Sequence, residues 1–127
     1  MDPHFEGVIF QTHAAELAKR LGHEFPAYCA LDVRSPADYG AGHIASARNT
    51  TPGELEAGLP PGTDASTEFF VIGAGPGDPA IRAASRALRR HGAHRVVEFG
   101  GGMNEWSAYR FPVETGASAP PESAPAH

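Results

Sequence analysis

Two spacings of apolar residues alternate along this chain. "AYCALDV" (Ala27 to Val33), "EFFVI" (Glu68 to Ile72) and "HRVVEF" (His94 to Phe99) are near-continuous apolar runs of strand length. A strand covered on both faces needs such a run, because neither side of it meets water. Between these runs the apolar positions recur at helical spacing. In "THAAELAKRLG" Ala14, Leu17, Ala18 and Leu21 share a face, Thr12 is placed to cap and Gly22 to stop the helix. "SPADY" predicts another, with Ser35 as cap, Pro36 in the first turn and Asp38 at the positive end of the dipole. "TPGELEAGL" predicts a short helix before the turn "PPGTD". After the loop "GAGPGDP" a longer helix sets Ile81, Ala84 and Leu88 on one face and Arg82, Arg86, Arg89 and Arg90 on another, and ends at Gly92. "GGGMNEW" turns into a last short helix, and "FPVETG" leads out.

Strands alternating with helices imply an α/β domain: one central, mostly parallel sheet with helices on both faces. Ligands of such sheets sit at the carboxyl ends of the strands. That singles out the loop after "EFFVI", made of Gly73, Ala74, Gly75, Pro76, Gly77 and Asp78.

Composition narrows the setting. A length of 127 residues suggests one domain with one core. Its folded part is expected at residues 5–114, with "TGASAPPESAPAH" (Thr115 to His127) as a disordered tail rich in Pro, Ala and Ser. The net charge of −5 argues against nucleic acid as a partner. No apolar run approaches the ~20 residues that span a bilayer, so no membrane is expected. The start "MDPHFEGVIF" lacks a basic region followed by an apolar one, so no secretory signal is expected either. The single cysteine, Cys29, excludes an intramolecular disulfide and points to a reducing, bacterial-type cytoplasm.

The motifs then supply a resemblance. "LDVRSPADYGAGHIASARN" resembles the first half of a rhodanese-like (sulfurtransferase) domain, in which a strand ends in Asp-Val-Arg and a Gly-His-Ile follows. "HRVVEFGGGMNEWSAYRFPVETG" resembles its end: a strand, a glycine pair, a tryptophan and a Leu-Pro-Val-like exit. The resemblance spans about residues 5–114. It implies that the strand matching "FFVI" is followed, in active members, by a cysteine carrying sulfur as a persulfide within inward-pointing backbone amides. Amides at a helix N-terminus stabilise such an anion, each hydrogen bond by ~1.5–3 kcal/mol. Here Gly73 stands at that position. One branch of the family has a loop like Cys-x-Gly-Pro-x-Cys, which "GAGPGD" matches with Gly73 and Asp78 replacing the two cysteines. The resemblance makes Asp32, Arg34 and His43 mainly scaffold around the strand ends.

A sulfurtransferase would therefore need Cys29, which lies inside its strand and reads as a packing residue. Asp78 reads as a helix cap before Pro79, and its carboxylate would repel an anion by ~1 kcal/mol or more. Pro76 and Pro79 offer no amide protons. No cofactor or metal is expected: the loop lacks the Lys-Ser/Thr pair of a P-loop, and His91 and His94 have no third ligand at metal spacing. The four arginines after the loop read as a solvated face, or more sharply as a docking surface for an acidic partner. Trp106 reads as core. The expected function is a catalytically inactive rhodanese-like domain acting as a binding or regulatory module, for an unidentified protein partner or a small anion at the loop. A sulfurtransferase using Cys29 and a small-anion sensor using the loop amides stay open as alternatives.

Overall fold

The computed structural model describes residues 9–116; the first eight residues, and most of the stretch expected to be a tail, lie outside the described residues. The elements run β1 (Phe10–Thr12), α1 (Ala14–Leu21), β2 (Tyr28–Asp32), α2 (Pro36–Ala41), β3 (Ala47–Asn49), α3 (Pro52–Leu55), β4 (Glu68–Ile72), α4 (Pro79–Arg90), β5 (Arg95–Phe99) and α5 (Gly102–Ala108). The strands form one sheet in the order β1-β5-β4-β2-β3, and every pairing is parallel. All three apolar runs occupy its centre.

Period-two alternation divides the core into two layers. Cys29, Leu31, Phe69, Val71 and Val96 point to one face, where Leu55 of α3 and Ile81, Ala84, Ala87 and Leu88 of α4 cover them. Ala30, Phe70, Ile72, Val97 and Phe99 point to the other, under Ala14 and Leu17 of α1 and Met103 and Trp106 of α5. Trp106 is buried, stands edge-on to Phe99 and donates its Nε1–H to Pro112 O at 2.9 Å, which fixes the exit of the chain.

Helix starts follow the sequence at α2 and α3. Ser35 accepts from Asp38 N with Pro36 in the first turn, and Thr51 and Glu54 form a reciprocal capping box. At α1 the expectation fails. Thr12 belongs to β1, and His13 occupies the cap position without a side-chain capping bond. The Ala14 amide instead donates to Glu105 Oε2 of α5 at 2.6 Å, so a tertiary contact replaces the local cap. The strands β1 and β3, three residues each, were not expected from the apolar pattern; both lie at sheet edges.

On α4 the expected solvated face holds for Arg82, Arg86 and Arg90, which are exposed, and is corrected at Arg89. Arg89 is 7% exposed and donates to Ala93 O and His94 O, closing the helix C-terminus from inside. Arg82 is bonded through Nε and Nη2 to Glu98 of β5, and Arg90 pairs with Glu56. Three of the four guanidinium groups are thus engaged within the domain rather than arrayed for a partner.

Candidate functional site

The loop of Gly73–Asp78 leaves the C-terminal end of β4, the middle strand of the sheet. Two features bind it to α5. Met103 N donates to Gly73 O and Asn104 N to Ala74 O, each at 2.9 Å. Gly102, with φ +58°, lies so close that a Cβ there would come within 2.5 Å of Gly73 O. Only glycine meets both conditions. With its carbonyls turned to α5, each peptide plane points the next amide the opposite way, toward the start of α4.

A carboxylate already stands there. Asp78 is the N-cap of α4: Oδ1 accepts from Ala80 N at 2.9 Å and Oδ2 accepts from Ala74 N at 2.9 Å. Pro79 follows at the first helical position, where a missing amide proton costs nothing. Asp78 N donates to Gly75 O at 3.1 Å, closing the loop, and Gly77 takes φ +83° within it. The Gly75 and Gly77 amides have no hydrogen-bond partner among the described residues.

Gly73 is buried at the base of this turn. A Cβ on it would lie 2.5 Å from Ile81 Cγ1 and 2.7 Å from Asp78 Oδ2. The volume a side chain at 73 would need is therefore filled by one apolar and one anionic group, both from α4. The sequence drew attention to Asp78 but not to Ile81, although Ile81 is one helical turn beyond the cap and so faces the same way.

Asp32 and Arg34 form a neighbouring unit. Asp32, fully buried at the end of β2, accepts from the Arg34 amide, from Arg34 Nε at 2.9 Å and from Nη2 at 2.7 Å. Arg34 Nη2 also donates to Gly42 O, and Asn49 Nδ2 donates to Asp32 O and Arg34 O. This network ties β2, the start of α2 and β3 together. His43 is stacked on Tyr39 with ring centroids 3.7 Å apart, and its Nδ1 lies 2.8 Å from Tyr39 O. Its backbone exchanges two 2.8 Å hydrogen bonds with Glu114, which holds the exit segment against the domain. A surface cleft of about 430 Å³ opens beside the loop, between α2 and α5, lined by Arg34, Asp38, Gly42, Met103, Asn104 and Val113.

Cys29 is not brought to this site. It sits in the layer under α3 and α4, is 3% exposed, and precedes the end of β2 by three residues, or about 10 Å. Burial pushes its thiol pKa up, against a smaller opposing pull from Arg48. Both effects of burial, neutral thiol and closed access, disfavour the thiolate that sulfur chemistry requires. His91 Nε2 lies 2.7 Å from Glu56 O at the end of α4, and among the described residues no three metal-ligating side chains gather.

The apolar pattern gave no sign of one further group, Glu98. Buried in β5, it accepts from Gln11 Nε2 at 2.8 Å and from Arg82 at 2.8 and 3.1 Å. Burial pushes its pKa up, but hydrogen bonds from Arg82, Gln11 and Ser85 outweigh that and hold it below the ordinary carboxylate range. A charge inside the otherwise apolar run "RVVEF" is the available signal, since such a charge must be partnered.

A wholly parallel five-stranded sheet, covered on both faces, with a glycine-rich loop and helix N-terminus at the end of its middle strand, defines the class. The chain belongs to the family of rhodanese-like domains, whose model matches residues 13–109. It is similar to the Alr3790 protein from Anabaena sp., at 32% identity over 83% of this chain and 92% of that one, with a TM-score of 0.73. The rhodanese-like domain of that Anabaena protein in solution is 31% identical over 91% and 80% of the two chains, with a TM-score of 0.67. The BH2092 protein from Bacillus halodurans shares the fold at 16% identity, covering 98% and 94%, with a TM-score of 0.73. No match is found among curated proteins.

Proposed function

We propose that this domain carries out no sulfur transfer and serves as a binding or regulatory module, with the surface around Gly73–Asp78 facing its ligand or partner. The observation that carries the reading is the double occupation of the nucleophile position. Gly73 has no side chain there, and Asp78 and Ile81 fill the room that one would take. The same carboxylate accepts the Ala74 amide that a persulfide would otherwise recruit. A negative charge so near also counts against a small-anion sensor, because a second anion would meet repulsion as well as a spent donor.

The rival with Cys29 as sulfur carrier meets two obstacles, burial and distance from the loop. The purified full chain, given thiosulfate and cyanide, is expected to form no thiocyanate above the uncatalysed background. Turnover that disappears in Cys29→Ala would overturn the proposal.

A further inference from the structure

Among the cations of this acidic chain, three gather at the end of the sheet opposite the loop, while Arg86 and Arg110 stand exposed elsewhere. Arg82, Arg89 and Arg90 are engaged within α4's surroundings, Arg34 by Asp32, and Arg48 donates to Pro61 O. At the N-terminal ends of β4 and β5 the arrangement differs. Glu68 accepts from Arg20 Nε at 2.9 Å and from Arg95 Nε at 2.5 Å, which clamps two guanidinium groups side by side. Arg20 spends its remaining donors on His23 O and Pro26 O and lies over the rings of Tyr28 and Phe70. Arg95 stacks on Phe10 at 4.2 Å, is half exposed and commits only Nε. Lys19 is exposed and forms no ion pair among the described residues.

These groups surround a groove of about 470 Å³ between α1 and the edge strand β1. Phe10, Phe70 and Val97 give it an apolar floor; Lys19, Arg20, His23 and Arg95 line its walls, with Glu16 as the one acidic residue among the lining groups and Glu68 behind the arginines. Phe10 is 40% exposed. Beyond β1 the sheet has no further strand among the described residues, so the outer backbone groups of Phe10–Thr12 are open to pairing.

We propose that this groove is a docking surface for a short, extended acidic peptide segment of a protein partner, which pairs with the open edge of β1. Charge complementarity identifies the occupant. Against Glu16 and Glu68, the side chains of Lys19, Arg20 and Arg95 leave one net positive charge at the groove, which attracts carboxylates, while the chain's net charge of −5 repels a long polyanion such as nucleic acid. Strand addition supplies main-chain hydrogen bonds, and the side chains of the added strand that face α1 meet Phe10 at the mouth of the groove, since Val97 and Phe70 lie one and two strands further in. Arginines already fixed by Glu68 and by stacking lose little freedom on binding. The surface is remote from the loop, so it stands or falls independently of the sulfur-transfer question.

The test is a titration of the isotope-labelled full chain, followed by amide NMR, with a synthetic heptapeptide alternating Glu and Val and with its Lys counterpart. The Glu peptide is expected to shift the amides of residues 10–12, 19–23 and 95 and to slow exchange at the β1 edge, and the Lys peptide is expected to do neither. Lys19→Glu, whose side chain supports no contact within the domain, is expected to keep the melting temperature and weaken the Glu peptide about tenfold, as reversal of a charge facing a ligand should. Shifts absent from this groove at millimolar peptide, equal shifts from both peptides, or an unchanged affinity in Lys19→Glu would overturn the proposal.

Discussion

Gly73 and Asp78 act as a pair, and the pair can be tested by restoring a thiol. From sequence alone, a cysteine at 73 would sit among inward-pointing amides and titrate below the reference of ~8.5. The geometry changes that expectation. The Ala74 amide is already taken by Asp78, whose Oδ2 would stand 2.7 Å from the new Cβ, with Ile81 closer still. In a Cys29→Ala background, Gly73→Cys should lose ~1–3 kcal/mol in urea denaturation, through overpacking. Its thiol should titrate at or above ~8.5, read from the pH dependence of alkylation, because the neighbouring carboxylate disfavours a second negative charge. Adding Asp78→Asn keeps a capping oxygen, removes the charge and should bring the thiol pKa down. A value below ~8.5 in the variant that retains Asp78 would show that the carboxylate does not govern the loop. Asp78 was legible in the sequence as a cap because Asp-Pro at a helix start is a local signal. Its second bond, to an amide four residues back, depends on the loop's path and has no local signature.

Among the elements, the β5–α4 contact carries a measurable electrostatic consequence. Glu98 has a folded-state pKa below its ordinary value, because Arg82, Gln11 and Ser85 outweigh burial. A depressed carboxylate pKa adds stability that is present above the unfolded value of ~4.3 and is lost as pH falls through the lower folded value. Urea unfolding from pH 6 downward should show this loss, and Glu98→Gln should flatten it. Part of the slope should remain, since Glu54 and Asp64 are shifted in the same direction by hydrogen bonds at their turns. An unaltered slope in Glu98→Gln would remove Glu98 and its Arg82 partner from the acid response. The elements themselves were readable where burial is complete. β2, β4 and β5 are covered on both faces and wrote continuous apolar runs, and α2 and α3 carry their own caps. β1 and β3 were hidden because edge strands of three residues can be half polar, as "FQT" and "ARN" are. The α1 cap was hidden because Glu105 supplies it from 91 residues away.

At the scale of the whole molecule, the two ends of the parallel sheet are differently equipped. The C-terminal end presents a tightly packed loop whose amide cradle already contains a carboxylate. The N-terminal end presents an exposed phenylalanine, Lys19 and a half-exposed Arg95, beside an edge strand that no further strand covers among the described residues. The chain's single thiol is buried in the layer under α3 and α4, away from the loop. Of the described helices, none is long and apolar enough to cross a membrane. The family's frame was legible at the level of motifs, since "LDVRS", "GHI" and the glycine-rich turn before Trp106 keep their order. What fills the frame was not, because the absence of a cysteine does not reveal which atoms take its place.

The central claim is that no sulfur atom of this chain can accept another. Intact-mass spectrometry of the pure full chain after incubation with thiosulfate measures this directly, without depending on turnover or on a second substrate. The account predicts an unchanged mass. A species heavier by one sulfur, mapped to Cys29, would contradict it.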